Sequence, residues 1–337
     1  MTAISIAMIV KNEAAHVSEC VASALGLASE ICVVDTGSTD GTLEMARQLG
    51  CRTGAFVWEN DFAAARNASL ALCVCPWIFI LDADERITPE DARRIRSLTE
   101  NGGERCYRFP TRNYTNDAAL SDFTPCAAGD VLARGFAGWH PSWKVRLFPN
   151  IPGVKFVGAV HELVHESLLA LGVQIETVTI PIHHYPLARP AERIAEKQRL
   201  YLELGLQKTR ETPDSPKAHG ELGAQYVEMK RYPEALQAYK RALRLAPENM
   251  EYLTELGSIL HLMGHGAEAR KSLEIAVRRA PESARAWRNL GVVHAGEGQW
   301  DAALRCFERA AALAPDSTDI ARCLAAARRR GLPEQGA

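Results

Sequence analysis

Proline recurs at positions 213, 247, 281 and 315, a strict interval of 34 residues. A period of that length dictates stacking, because one short unit cannot bury its apolar face alone and must pack on copies of itself. Positions between the prolines keep the same phase. Leu222-Gly223, Leu256-Gly257 and Leu290-Gly291 recur, as do Ala235, Ala269 and Ala303, then Ala242, Ala276 and Ala310. Tyr239, Leu273 and Phe307 fill one large-residue slot. The small residues let paired helices approach, the large ones fill the seam, and each proline stops the second helix of its unit. The pattern predicts an all-α solenoid over residues 188–337: a half-repeat at 190–213, repeats at 216–249, 250–283 and 284–317, and a capping helix over 318–330 that ends in Arg328-Arg329-Arg330.

Residues 1–187 carry a different rhythm. Apolar runs at 3–10, 30–35, 52–57 and 77–81 read as strands, and helical spacing at 14–27, 42–49 and 62–71 alternates with them. Such βα alternation predicts an α/β domain with an open, mostly parallel sheet. Lys11-Asn12-Glu13 follows the first strand and Asp35 ends the second. The run Trp77–Leu81 reads as buried on both faces, so Asp82-Ala83-Asp84-Glu85 emerges at the sheet rim, where α/β proteins bind ligands. Asp82 and Asp84 can point the same way, which suits a hard divalent cation that also takes diphosphate oxygens. Acids in this position also cap helices, although Thr88-Pro89-Glu90-Asp91 already supplies a capped start. Farther along, a helix is expected at 89–100, a strand at 106–112, a loop-rich segment over 113–142, strands at 144–148 and 156–162, and a last strand at 175–182 ended by His183-His184-Tyr185-Pro186.

A chain of 337 residues accommodates two such domains. Net charge is −2, split as 15 Lys/Arg against 21 Asp/Glu in residues 1–187 and 24 against 20 in the rest, so neither half has the basic excess of a nucleic-acid binder. The nine cysteines form no Cys-X-X-Cys pair, which with the lack of a signal peptide suggests a cytoplasmic protein. No apolar run approaches the ~18 residues needed to span a bilayer, leaving at most peripheral membrane contact.

The resemblance to a known family rests on four motifs. Met8–Glu13, Val33–Thr42, Asn60–Asn67 and Leu81–Glu85 occur in the order and spacing of the inverting glycosyltransferases of family 2, and Arg146-Leu147-Phe148 before Gly158-Ala159-Val160-His161-Glu162 also resembles that family. The 34-residue period resembles the tetratricopeptide repeat. The first resemblance covers residues 3–187 and implies a GT-A fold, a nucleotide-diphosphate sugar as donor substrate, and Mg²⁺ or Mn²⁺. It implies that Asp35 contacts the nucleoside, that Asp82 and Asp84 hold ribose and metal, that His184 reaches the metal or diphosphate, and that Arg66 and Asn67 reach toward the nucleotide. The donor site then comprises Lys11, Asn12, Glu13, Asp35, Gly37, Ser38, Arg66, Asp82 and Arg146, with Asp82, Asp84 and His184 as metal ligands. Gly37 lets backbone approach a ligand closely, and Ser38 or Thr39 can cap the next helix. Plainer readings stand beside these: an ordinary turn for Gly37 and Thr39, a solvated arginine for Arg66, packing roles for Trp139 and Trp143, a loop cap for His183-His184.

Glu162 ends an expected strand with Gly158 behind it, so it is the candidate base that deprotonates an acceptor, with Asp122 in reserve; a salt-bridged strand-end acid is the alternative. His161-Glu162-Leu163-Val164-His165 also matches the His-Glu-X-X-His zinc-protease pattern, but that pattern needs a helix, and Leu168 and Leu171 occupy its extended Gly and His positions. Two functions follow. One is a hexosyltransferase-type enzyme that transfers a sugar to a glycan, lipopolysaccharide or peptide acceptor, with repeats that dock the acceptor or a protein partner. The other is a scaffold in which a degenerate transferase domain carries a partner-binding solenoid; the intact Asp82 and Asp84 argue against decay.

Overall fold

The computed structural model describes residues 2–101, 105–118, 120, 122–158, 162–186, 191–315 and 317–331. The chain divides into two units, Met1–Arg189 and Pro190–Ala337.

The first unit opens with β1 (Ile4–Val10), α1 (Val17–Ala24), β2 (Glu30–Asp35), α2 (Thr42–Gln48) and β3 (Arg52–Ala55). It continues with α3 (Phe62–Leu72), β4 (Trp77–Ile80), β5 (Glu85–Arg86), α4 (Pro89–Leu98), β6 (Arg105–Thr115) and β7 (Thr124–Pro125). The last elements are β8 (Gly138–Pro149), α5 (His165–Ala170), β9 (Gln174–Thr177) and β10 (Ile182–His184). They form one sheet in the order β3-β2-β1-β4-β8-β6-β10-β5, with β7 on β8 and β9 on β6. The first four strands run parallel, and β8 lies antiparallel between β4 and β6.

Both faces of the central strands are buried, which is why they read as unbroken apolar runs. Ile4, Ile6, Met8 and Val10 of β1 point into one core with Val17, Val21 and Ile95, while Ala7 joins Cys32, Ile78, Ile80 and Phe148 in the other. Asp35 ends β2, and Asp82 follows just after β4.

The segment 113–142 is loop-rich as expected, although strand enters it at both ends: β6 runs to Thr115, β8 begins at Gly138, and Asn113 faces His140 while Tyr114 faces Trp139. Two expectations need correction. The strand expected at 175–182 is two strands, and His183 and His184 lie within the second rather than after it. The strand expected at 156–162 reduces to one bridge between Val157 and Leu163, with 159–161 outside the described residues. Because α5 begins at His165, Glu162 lies off the helix that a zinc-protease arrangement requires; His161 is outside the described residues.

The second unit is helical: α6 (Ala191–Glu211), α7 (Pro216–Glu228), α8 (Tyr232–Leu245), α9 (Met250–Leu262), α10 (Gly266–Arg279), α11 (Ala284–Gly296), α12 (Trp300–Leu313) and α13 (Thr318–Gly331). A Cβ on Gly223 would lie 2.7 Å from the Tyr239 ring, one on Gly257 2.7 Å from Leu273 and one on Gly291 2.6 Å from Phe307. Each repeat therefore closes by pressing the large residue of its second helix against the bare backbone of its first. Ser215, Asn249 and Ser283, again 34 residues apart, accept backbone N–H bonds at the starts of α7, α9 and α11.

Candidate functional site

The ends of β1, β2 and β4 bring three polar loops together. Asn12 adopts a left-handed backbone, φ 58°, which asparagine tolerates better than most residues. It binds the second loop twice: its N–H donates to Ser38 Oγ at 2.9 Å, and its Oδ1 accepts from Thr39 N at 2.8 Å. The N–H of Glu13 donates to Thr42 Oγ1 at 2.8 Å. Asp35 is buried and accepts from the N–H groups of Gly37 and Ser38 at 3.1 and 3.0 Å. Gly37 has φ 100°, and a Cβ there would meet open space, so this glycine serves the turn and leaves room above it. Asn12, Asp35, Gly37 and Ser38 are thus knitted into one frame, with Lys11 exposed beside it.

The acidic turn after β4 is braced from below. Glu85 is buried, and its carboxylate takes both Nη atoms of Arg146 at 2.6 Å as well as the N–H of Asp82 at 3.0 Å. Arg146, 1% exposed, also donates to Thr111 Oγ1 and the Ile80 carbonyl. This corrects the expectation that Arg146 faces a donor. A charged residue on a buried strand needs a partner, and here the pair fixes the turn that carries Asp82 and Asp84. Asn67 is likewise taken up internally, since its amide exchanges two bonds with the backbone of Phe156 at 2.8 and 3.0 Å.

Above the brace, charged groups converge. Asp61 caps α3, which sets Arg66 one turn in; Arg66 is buried and donates to Asp82 Oδ1 at 2.7 Å and to Glu162 Oε1 at 3.3 Å. Its Nη1 has no acceptor among the described residues. Lys144 Nζ stands 3.8 Å from the other oxygen of Asp82. Burial raises the Asp82 carboxyl, but Arg66 first, then Lys144 and Arg146, outweigh it and hold the group far below the usual carboxylate range.

Asp84 faces His184. His184 Nε2 lies 3.2 Å from Asp84 Oδ2 and its Nδ1 lies 2.8 Å from Asn113 Oδ1. The Asn113 amide donates to the His140 carbonyl and to Ser142 Oγ, so its oxygen must face His184 and Nδ1 must carry a hydrogen. In a neutral ring the Nε2 lone pair then points at a carboxylate. Two acceptors at that distance need a proton or a cation between them. Burial disfavours a charged ring, yet Asp84 overcomes it and raises the His184 pKa. Among the described residues no group of three or more His, Cys, Asp or Glu could hold a metal, so these two side chains would supply only part of a coordination shell. Asp122, φ 58°, lies on the loop before β7; its charge acts on His140, which also feels His184. Sequence reasoning missed Lys144, Asn113 and Glu85, although Lys144 and Arg146 are two apart on one strand and so share a face.

Residues 5–119 match the model of the family described as Glycosyl transferase family 2. Residues 223–264 match a TPR repeat and 263–318 a Tetratricopeptide repeat. The chain is 37% identical over 210 residues to a protein of Rickettsia felis called an uncharacterized glycosyltransferase, covering 59% of this chain and 73% of that one. It is 34% identical over 174 residues to a TPR repeat-containing protein of Synechococcus elongatus, covering 52% of this chain and 38% of the relative. Other relatives are likewise spanned only in part, 53% for those of Rickettsia typhi and Rickettsia prowazekii. Among solved structures, MamA from Desulfovibrio magneticus matches 42% of this chain and 80% of its own at 21% identity and a TM-score of 0.37.

Proposed function

Since the chain belongs to glycosyl transferase family 2 and carries tetratricopeptide repeats after that domain, we propose that it moves a sugar from a nucleotide-diphosphate donor to a glycan, lipopolysaccharide or peptide acceptor, with inversion and with Mg²⁺ or Mn²⁺. The observation that carries this reading is the gathering of Asp82, Asp84, His184, Arg66 and Lys144 at one sheet rim. Asp84 Oδ2 and His184 Nε2 suit a divalent ion that takes its remaining ligands from water and diphosphate. Such an ion, when bound, supplies charge neutralisation for the departing diphosphate.

The chain's own residues do the rest. Arg66, with its unmatched Nη1, and Lys144 offer donors to phosphate oxygens; the frame of Asn12, Asp35, Gly37 and Ser38 receives the nucleoside. Glu162 takes the proton of the attacking acceptor hydroxyl. That oxygen bonds to the anomeric carbon from the face opposite the leaving group, and the bond to the diphosphate oxygen breaks. Asp122 is the reserve base. The repeats dock the acceptor or a protein partner.

The test is turnover of nucleotide sugars, first in water and then with acceptors, with and without Mn²⁺. Wild-type protein is expected to release nucleoside diphosphate, and Asp84→Ala to release none while keeping its melting temperature. Full activity in Asp84→Ala, or in excess EDTA, would sink the metal-dependent reading; silence of the wild type toward every donor would favour a scaffold.

A further inference from the structure

Consecutive residues of a strand face opposite ways, and β10 uses both faces. His184 turns toward Asp84, while His183 and Tyr185 stack with Tyr114 on the other side, ring centroids 5.9 Å apart for His183 and 4.8 Å for Tyr185. On that side lies a cavity of about 440 Å³ whose wall includes Glu19, Arg86, Arg134, His183 and Tyr185. The proposed transfer reaction uses none of these residues.

His183 is 1% exposed, and its Nδ1 lies 2.9 Å from the Tyr114 hydroxyl. A phenol is the stronger acid of the two, so Tyr114 donates and the ring hydrogen sits on Nε2. That Nε2 has no partner among the described residues. Burial first, then the charge of Arg112, brings the ring's pKa down to about 4, which leaves a neutral N–H donor at physiological pH. A buried donor without an acceptor is disfavoured unless something supplies one.

The nearby cations share a single anion. Glu19 Oε2 takes Arg134 Nη1 at 2.7 Å and Arg86 at 3.2 and 3.3 Å, and its side chain is 55% exposed, so it can swing out. Arg134 lies over the Tyr185 ring, 4.7 Å from its centre. Asp91 and Asp130 also act on His183, but Asp91 is engaged by Thr88 and Arg94, and Asp130 by the N–H of Leu132.

We propose that this cavity is a second ligand site, behind β10 and separate from the sheet rim, for a small molecule bearing a carboxylate or a phosphate. The anion replaces Glu19 between Arg86 and Arg134, and the His183 Nε2–H gives it a directional bond. Arg86 Nη1 also donates to the carbonyls of Ala83 and Glu85 at 2.7 Å, so an occupant would press on the turn that carries Asp84.

The full-length protein tests this by thermal shift and calorimetry with inorganic phosphate and with citrate, at constant ionic strength against chloride. A saturable rise in melting temperature is expected for at least one of them, phosphate and carboxylate being told apart by which responds. Arg134 is half exposed, so Arg134→Ala should fold; it is expected to weaken the response tenfold or more. Lys144→Ala, which removes a cation from the sheet rim, should leave it intact. No saturable response, a response unchanged in Arg134→Ala, or one lost in Lys144→Ala would each overturn the inference.

Discussion

At the residue scale, the candidate site is a set of carboxylates given separate tasks by their neighbours. Glu85 is buried under Arg146, Asp82 is held ionised by Arg66 and Lys144, Asp84 meets His184, and Glu162 touches Arg66 through one oxygen. Glu162 and Asp122 are not among the proposed metal ligands Asp82, Asp84 and His184, which is why they compete for the proposed role of base. A side-chain base contributes about 10²–10⁴-fold to rate, so Glu162→Gln should lower kcat by that factor while donor binding stays near wild type. Parallel kinetics on Asp122→Asn decide between them; a Glu162 variant with wild-type kcat removes Glu162. A pH effect on stability belongs here too. Buried His183 has its pKa depressed to about 4 from an ordinary value near 6.5. A depressed folded pKa means that the unfolded chain binds the proton more readily, so this stability is fully present above pH 6.5 and is lost as pH falls toward 4, by about 3 kcal/mol at most. Urea unfolding at pH 7.5 and pH 5 should show the loss, and a His183→Gln variant should show less of it.

At the scale of elements, glycine decides how closely the repeat helices sit. Leu273 is fully buried against the backbone of Gly257, and the added methyl of Gly257→Ala would intrude to 2.7 Å. Alanine favours the helix by roughly 1 kcal/mol, but overpacking a closed seam costs about 1–3 kcal/mol, so a net loss and a lower melting temperature are expected. An unchanged or raised melting temperature would mean that the seam can open without cost. The same scale shows what the sequence could reveal. Strands β1, β2 and β4 were legible because burial on both faces leaves runs that are mainly apolar, and the helices because their small and large positions recur in phase. The long pairing of β6 with β8 was not, since Gly138, His140, Pro141 and Ser142 lack apolar alternation and owe their extended shape to the partner strand. Arg146 misled for a related reason: nothing local tells a strand arginine that faces a ligand from one that neutralises a buried glutamate 61 positions away.

For the whole molecule, each unit has its own apolar core. One is packed about the sheet, and the other runs through the repeats from Leu222 to Cys306. Residues 188–337 expressed alone should therefore show strong helical circular dichroism and a cooperative melt. A random-coil spectrum would mean that the repeats depend on the sheet domain for stability. The sheet rim was readable as a place where acids gather, because strand ends announce themselves. The pairing of Asp84 with His184 across 100 positions was legible only through family likeness, as no local pattern ties a late strand to an early turn.

The repeats have a further consequence. When each 34-residue unit carries a polar cap, a bare glycine and a large facing side chain in the same phase, the array has no natural length. One whole unit could be duplicated or excised in the gene, and each remaining junction would be one the chain already knows how to make. Loss of 33 or 35 residues would instead take the large side chains off their glycines and put caps inside helices. Reach, on this view, is a quantity that heredity can adjust in fixed steps while the chemistry at the sheet rim stays untouched.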